Sequence, residues 1–182
     1  MERFIAFVLV LALIPLILPI SILIKVTTFE DILFWSERVG SENQLFYMPK
    51  FCTMKQDTPK VATHLLKDPE QYFTRVGNFL RKTSLDEIPQ LYSIVWGDMS
   101  FIGPRPALFN QYDLIKLRTE KGVHKLKPGI TGFAQVNGRD SISITEKVLL
   151  DEYYLKNKSF FLDIKIIWLT LRKVLSQDDI SH

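Results

Sequence analysis

Every residue from Phe4 to Ile24 except Ser21 is apolar or proline, and Arg3 and Lys25 close the run on either side. A segment apolar on all faces cannot sit on the surface of a water-soluble domain, so this stretch calls for lipid. As a helix it reaches roughly 30 Å, the thickness of the hydrocarbon layer. A cleaved signal peptide is the other reading of such a run. Val26-Thr27-Thr28-Phe29, which follows, lacks the small-residue pattern of a cleavage site. Pro15 and Pro19 complicate a straight crossing. Each lacks the N–H that would bond the carbonyl four residues earlier, so the carbonyls of Leu11 and Pro15 lose their helical partners. An unpaired carbonyl deep in lipid is costly, whereas a bend lets it reach headgroups or protein. A kinked span and a hairpin that enters and leaves on one side both satisfy this.

The 182 residues suffice for an anchor, residues 1–26, and one compact domain, residues 27–182. That domain shows no repeat, no low-complexity tract and no Gly/Ser linker. With a net charge of +3, and Lys and Arg spread along the chain, there is no basic tract to follow a nucleic acid. Phosphate-bearing small molecules or an anionic membrane surface suit the charge better. Cys52 stands alone, which excludes an internal disulfide and any cysteine zinc cluster. His64, His124 and His182 lie too far apart for a histidine pair on one helix.

The pattern predicts an α+β domain that is predominantly helical with few short strands. Gln44 to Phe51 and Gly132 to Val136 have strand character. Helical spacing of apolar residues recurs over Glu70 to Lys82 and over Ala107 to Lys121. A last helix, Phe160 to Leu175, aligns Phe160, Ile164, Ile167, Trp168, Leu171 and Leu175, with Lys158, Lys165 and Arg172 at seven-residue steps beside them. That face can lie in the headgroup plane or cover the core.

The chemistry concentrates in Leu80-Arg81-Lys82-Thr83-Ser84-Leu85-Asp86-Glu87-Ile88-Pro89-Gln90-Leu91. Ser84 with Glu87 three residues on reads as a capping box. A helix capped there would carry Pro89 past the first turn, whereas a start nearer Pro89 puts proline at the first helical position. Either way Asp86 and Glu87 lie at a helix amino terminus, where the dipole favours their ionised forms. Adjacent helical residues point about 100° apart, so two separate roles are expected rather than a shared proton. A hard cation such as Mg²⁺, held by these carboxylates and substrate phosphates, fits the donors available.

Arg105, between Pro104 and Pro106, is set on a stiff segment from which a guanidinium can grip a phosphate. Arg81, five residues before Asp86, can join it. Lys127-Pro128-Gly129-Ile130-Thr131-Gly132-Phe133-Ala134-Gln135-Val136-Asn137-Gly138-Arg139 supplies glycines, two amides and a guanidinium in one loop-rich span. It matches neither the Walker A nor the dinucleotide fingerprint.

The broken apolar amino terminus, Thr83 to Leu91, Gly97-Asp98-Met99-Ser100 running into Phe101 to Pro106, and Lys127 to Arg139 together resemble the small bacterial monotopic phosphoglycosyl transferases, over about Leu18 to Leu175. The resemblance implies transfer of a phosphosugar from a UDP-sugar to undecaprenyl phosphate, with release of UMP, at the cytoplasmic face of the bacterial inner membrane. By that likeness Asp86 is the nucleophile that forms an aspartyl phosphosugar and Glu87 helps hold Mg²⁺. Arg81, Arg105, Lys50, Thr53, Gln135, Asn137 and Arg139 contact phosphate or substrate. The anchor becomes a re-entrant hairpin bent at Pro19, with interfacial amphipathic helices beside a small cytosolic domain. Membrane lipids are partners, and a homodimer is compatible with the class. Leu18-Pro19 replaces the family's Ser-Pro, Arg38-Val39-Gly40 its Arg-Pro-Gly, and Lys50-Phe51-Cys52-Thr53-Met54 carries Cys52 at a normally cationic position. Two rival readings of the same residues are a metal-dependent UDP-sugar hydrolase and a non-catalytic membrane scaffold.

Overall fold

The computed structural model describes residues 1–28, 31–55, 57–59, 68–138 and 142–176. The long helix α1 (Glu2–Thr28) comes first. Strands β1 (Leu33–Val39) and β2 (Leu45–Phe51) follow as an antiparallel hairpin with Trp35 opposite Pro49 and Arg38 opposite Phe46. A short helix α2 (Gly77–Lys82), a 3₁₀ turn (Leu85–Gln90) and helix α3 (Leu91–Trp96) carry the chain past β2. Strand β3 (Ser100–Ile102) leads through the Pro104–Pro106 segment into β4 (Ala107–Leu108), which adds to the free edge of β1. Helix α4 (Tyr112–Glu120), strand β5 (Gly129–Thr131), helix α5 (Phe133–Val136), helix α6 (Ile144–Asn157) and helix α7 (Phe160–Ser176) complete the fold. β5 pairs in parallel with β3.

The apolar helix is long and apolar enough to cross a bilayer, yet one stripe of it is docked on the domain. Ala6, Val10, Leu13, Ile17, Ile20 and Ile24 recur at alternating steps of four and three, which puts them on one face of a helix. Ala6 is buried among Phe46, Met48, Leu91, Ile94 and Met99, while Ile20 and Ile24 are buried with Phe51 and Leu80. The opposite face, including Phe4, Phe7, Leu11, Leu18 and Ile22, is exposed. Helical structure continues through both Pro15 and Pro19. The hydroxyls of Ser21, Thr27 and Thr28 turn back onto carbonyls four residues earlier, so they add no unsatisfied polar group to the apolar surface. Leu80→Ala is expected to cost about 2–5 kcal/mol, because Leu80 is fully buried in the cluster with Phe51, Ile20 and Ile24 and its truncation leaves a cavity there. A thermal unfolding midpoint in detergent within a degree of wild type would contradict that packing.

The amino-terminal end of α1 also makes polar contacts with the segment that follows α3. The Glu2 carboxylate accepts a hydrogen bond from Ser100 Oγ at 3.0 Å. The Arg3 guanidinium lies over Gly97, whose left-handed φ of 100° ends α3 and whose missing Cβ leaves room for that contact.

Three expectations about elements are corrected, and one strand is added. Glu70 to Lys82 is not one helix: Pro69–Tyr72 forms a 3₁₀ turn, and Phe73 then pairs as a β-bridge with Met54 before α2 begins. Ala107 to Lys121 splits, because Ala107–Leu108 are drawn into the β1 edge and only Tyr112–Glu120 remain helical. Gly132 to Val136 is not a strand. β3 offers partners only as far as Ile102 opposite Thr131, so the chain beyond winds into α5, with the Val136 N–H on the Gly132 carbonyl. Strand β1 was not anticipated at all. On α7, the face carrying Phe160, Ile164, Ile167, Trp168 and Leu171 is exposed, and the opposite face, with Leu162, Ile166 and Leu169, covers the core beside Tyr154.

Candidate active site

The Asp86–Glu87 pair is delivered by a break between two short helices. Thr83 closes α2 and Ser84 turns left-handed, with φ 55°, before the 3₁₀ turn starts. The capping box expected from Ser84 and Glu87 is therefore not formed, since a capping side chain needs an extended backbone at that position. The Glu87 N–H instead reaches the Ser84 carbonyl. A complete capping box does form at Ser143 and Glu146, at the start of α6. Nor is Pro89 the first residue of α3. It lies inside the 3₁₀ turn, and α3 begins at Leu91.

The turn packs against β2, and this juxtaposition makes the site. Lys50 Nζ donates to Glu87 Oε1 at 2.7 Å, and Arg105 Nη1 approaches the same oxygen at 3.6 Å. Lys50 is largely buried, and its ammonium is pulled down from its usual range by burial, opposed by the Glu87 charge. Arg38, on β1, joins the group. Burial, with Arg105 beside it, lowers its guanidinium to about 9, still cationic at neutral pH. Asp86 is 6% exposed and so is cut off from most water.

Burial sets the Asp86 proton affinity against the expectation from the helix dipole. Desolvation raises its pKa above the ordinary range, the Glu87 charge adds to the rise, and Lys50, Arg81 and Arg105 oppose it. A dipole of a six-residue 3₁₀ turn is too weak to offset the loss of water. The acid limb of a rate profile governed by Asp86 is therefore expected above about pH 4, the ordinary carboxylate value. Lys50→Met removes the strongest opposing charge, so the limb should move to higher pH. An unmoved limb would dissociate Lys50 from Asp86.

The remaining predicted site residues fall into two groups. Arg81 sits near Asp86 electrostatically, its guanidinium stacked over the Phe73 ring at 5.1 Å and touching Met54 Sδ. Thr53 is buried, and its carbonyl accepts the Thr74 N–H at 2.9 Å. Cys52 is buried and donates to the Met54 carbonyl at 3.2 Å. Gln135 Nε2 is directed to the Ile130 carbonyl and Asn137 Nδ2 to the Phe133 carbonyl, so both amides donate to local backbone. Arg139 lies outside the described residues. Arg38 was absent from the predicted contacts, although the Arg38-Val39-Gly40 motif marked the place. Its role depends on β1, whose pairing with β2 brings it beside Arg105 and Glu87.

Asp86 and Glu87 are the hard oxygen donors that could hold a divalent cation here, and one Glu87 oxygen already accepts from Lys50. Among the described residues no group of three or more His, Cys, Asp or Glu side chains is placed to hold a metal by itself.

A half-docked apolar helix long enough to cross a bilayer, beside a buried acidic pair ringed by cations, marks a membrane-associated protein. The chain belongs to the bacterial sugar transferase family, whose profile matches residues 1–177. It is 44% identical over 153 residues to the uncharacterized sugar transferase EpsL of Bacillus subtilis (strain 168), an alignment covering 83% of this chain and 73% of that one. It is 36% identical over 168 residues to the UDP-N-acetylgalactosamine-undecaprenyl-phosphate N-acetylgalactosaminephosphotransferase of Aeromonas hydrophila, covering 89% of this chain and 40% of the relative. The UDP-glucose:undecaprenyl-phosphate glucose-1-phosphate transferase of Xanthomonas campestris pv. campestris is 34% identical over 184 residues, covering 97% and 38% respectively. The chain thus spans about two fifths of the length of these last two relatives.

Proposed function

We propose that this protein transfers a phosphosugar from a UDP-sugar to undecaprenyl phosphate, releasing UMP, at the cytoplasmic face of the bacterial inner membrane. The observation that carries the reading is the buried Asp86 next to Glu87, with Lys50, Arg38 and Arg105 gathered around the pair. Relatives named for undecaprenyl-phosphate sugar phosphate transfer support the substrate class.

In the first step an Asp86 carboxylate oxygen attacks the sugar-bearing phosphorus. A bond forms between Asp86 and that phosphorus, and the bridging bond breaks, with its electron pair leaving on UMP. In the second step an oxygen of the lipid phosphate attacks the same phosphorus and Asp86 departs as the carboxylate. Splitting the transfer in two lets one buried acid serve both partners in turn. Arg105 and Lys50 spread the charge on the transferring oxygens, where phosphoryl transfer most needs it. Mg²⁺, held by Glu87 and Asp86 when bound, would supply further charge neutralisation at the diphosphate. Enzyme exhaustively treated with chelator should lose turnover and regain it on adding Mg²⁺; undiminished turnover would remove the metal from the scheme.

The membrane arrangement follows the same reading. Contacts of α1 with the domain from Glu2 to Ile24 support an anchor whose two ends lie on the same, cytoplasmic side; the bend of that re-entrant anchor at Pro19 is carried over from the family resemblance. The exposed apolar face of α7, with Arg172 at 5.8 Å over the Trp168 ring, supports an interfacial position for that helix. Thiol labelling of Glu2→Cys in intact cells should find it protected from impermeant reagent; labelling from outside would exclude the hairpin.

The deciding experiment quenches the enzyme with UDP-sugar alone and reads the peptide containing Asp86 by mass spectrometry. A phosphosugar adduct that disappears on adding undecaprenyl phosphate is expected. Sustained UMP release that ignores the lipid would mean hydrolysis, and no UMP release with any UDP-sugar would mean a scaffold.

A further inference from the structure

Arg118 on α4 and Asp151 on α6 are buried together, 7% and 1% exposed. Arg118 Nε and Nη2 both donate to Asp151 Oδ2, at 3.0 and 2.6 Å. The guanidinium's third side, Nη1, donates to the main-chain carbonyl of Arg105 at 2.8 Å. A buried ion pair is a poor way to add stability, since desolvating two charges offsets much of their attraction and an apolar pair of the same volume packs as well. Desolvation indeed raises the Asp151 pKa despite the Arg118 charge beside it.

The Arg105 segment needs an outside hold. Pro104 and Pro106 have no N–H, so two of its three residues cannot anchor it as donors and its placement depends on its carbonyls. Each of the three carbonyls takes a donor from a different element. Pro104 O accepts the Gly129 N–H at 3.0 Å, Arg105 O accepts Arg118 Nη1, and Pro106 O accepts Arg38 Nη1 at 3.1 Å. Gly129 packs so closely on Gly103 that a Cβ there would collide with the Gly103 nitrogen. Arg38 is itself held by Ser36 Oγ at 2.9 Å. The Arg105 guanidinium reaches Glu87 from a main chain held at three successive points.

We propose that the Arg118–Asp151 pair is a positioning element that holds the Arg105 main chain so that its guanidinium meets the diphosphate of the donor. The proposal rests on the reading of Arg105 as a phosphate contact. A guanidinium is required because its fixed fork bonds Asp151 with one edge and the Arg105 carbonyl with the other; a lysine ammonium has no such planar reach. A displacement of about 1 Å at a phosphate clamp is enough to cost about 10²-fold in rate.

The test is a double-mutant cycle on kcat/KM for the UDP-sugar, using the full chain in detergent with undecaprenyl phosphate. Arg118→Lys is expected to lower kcat/KM about 10- to 100-fold when Arg105 is present, and less than about threefold in an Arg105→Ala background. Asp151→Asn, which keeps the shape of the pair, should show the same non-additivity and serves if Arg118→Lys does not fold. Leu114→Ala, a core truncation on the same helix α4, controls for general loosening. It should lower the melting temperature and leave kcat/KM within about threefold. An Arg105→Ala protein with wild-type kcat/KM would remove the phosphate role of Arg105. Impaired Arg105→Ala with an equal, multiplicative loss from Arg118→Lys in both backgrounds would overturn the positioning role alone, as would a matching activity loss in Leu114→Ala.

Discussion

Asp86→Asn is expected to lower phosphosugar transfer by at least about 10³-fold, because an amide oxygen cannot form and release a bond to phosphorus as a carboxylate can. The fold should not suffer. The folded protein raises the Asp86 pKa, so it favours the neutral acid. The stability this contributes is present below the ordinary value of about 4 and is lost as pH rises through the folded pKa. Above the folded pKa that contribution is gone, so the asparagine variant, which carries no charge to bury, should melt at the same temperature or higher. UMP release, co-sedimentation with membrane and thermal unfolding together check this. Full turnover in the variant would end the nucleophile assignment, and a melting point lowered by many degrees would mean that Asp86 holds the fold together.

Glu87→Gln should cost about 10²–10³-fold in kcat, the scale of losing one preorganised charge at a reacting phosphate. Glu87 is the common partner of Lys50 and Arg105, so the variant also frees two cations from their anchor. Its Mg²⁺ requirement should rise together with the fall in kcat if the carboxylate holds the ion. A fall in kcat with an unchanged Mg²⁺ titration would assign Glu87 to orienting Lys50 and Arg105 instead. A variant with normal kcat would place Glu87 outside the chemistry.

Much of the site was legible before any coordinates. Asp86, Glu87 and Arg105 were named from local pattern and Lys50 from the family resemblance, and the fold brings their side chains or charges together through β2 and the 3₁₀ turn. Their positions are set by short segments whose residue types allow few conformations: a proline-bracketed arginine and an acidic pair just before Pro89. Arg38 was not placed in the site, because nothing in Leu33–Val39 separates a strand from a loop until β2 and β4 pair with its two edges. The strand expected over Gly132 to Val136 fails for the same reason. Phe133 to Val136 carry residues that suit a strand, but the neighbouring strand has run out.

Local chemistry alone determined that the amino-terminal stretch suits lipid, that an acidic pair lies at the start of a helical turn, and that Arg105 stands on a stiff, proline-bracketed segment. Hydrophobic length, proline geometry and residue type decide those features without reference to distant residues. Tertiary packing decided the rest. It laid one stripe of α1 along the domain, divided α7 into a core face and an exposed face, and buried Asp86 deeply enough to reverse the effect of the helix end. It also gave each carbonyl around Arg105 a donor from a different part of the chain. Burial and hydrogen bonding between segments depend on which surfaces meet, and residues such as Arg105 and Arg118 acquire their relation only when the chain closes.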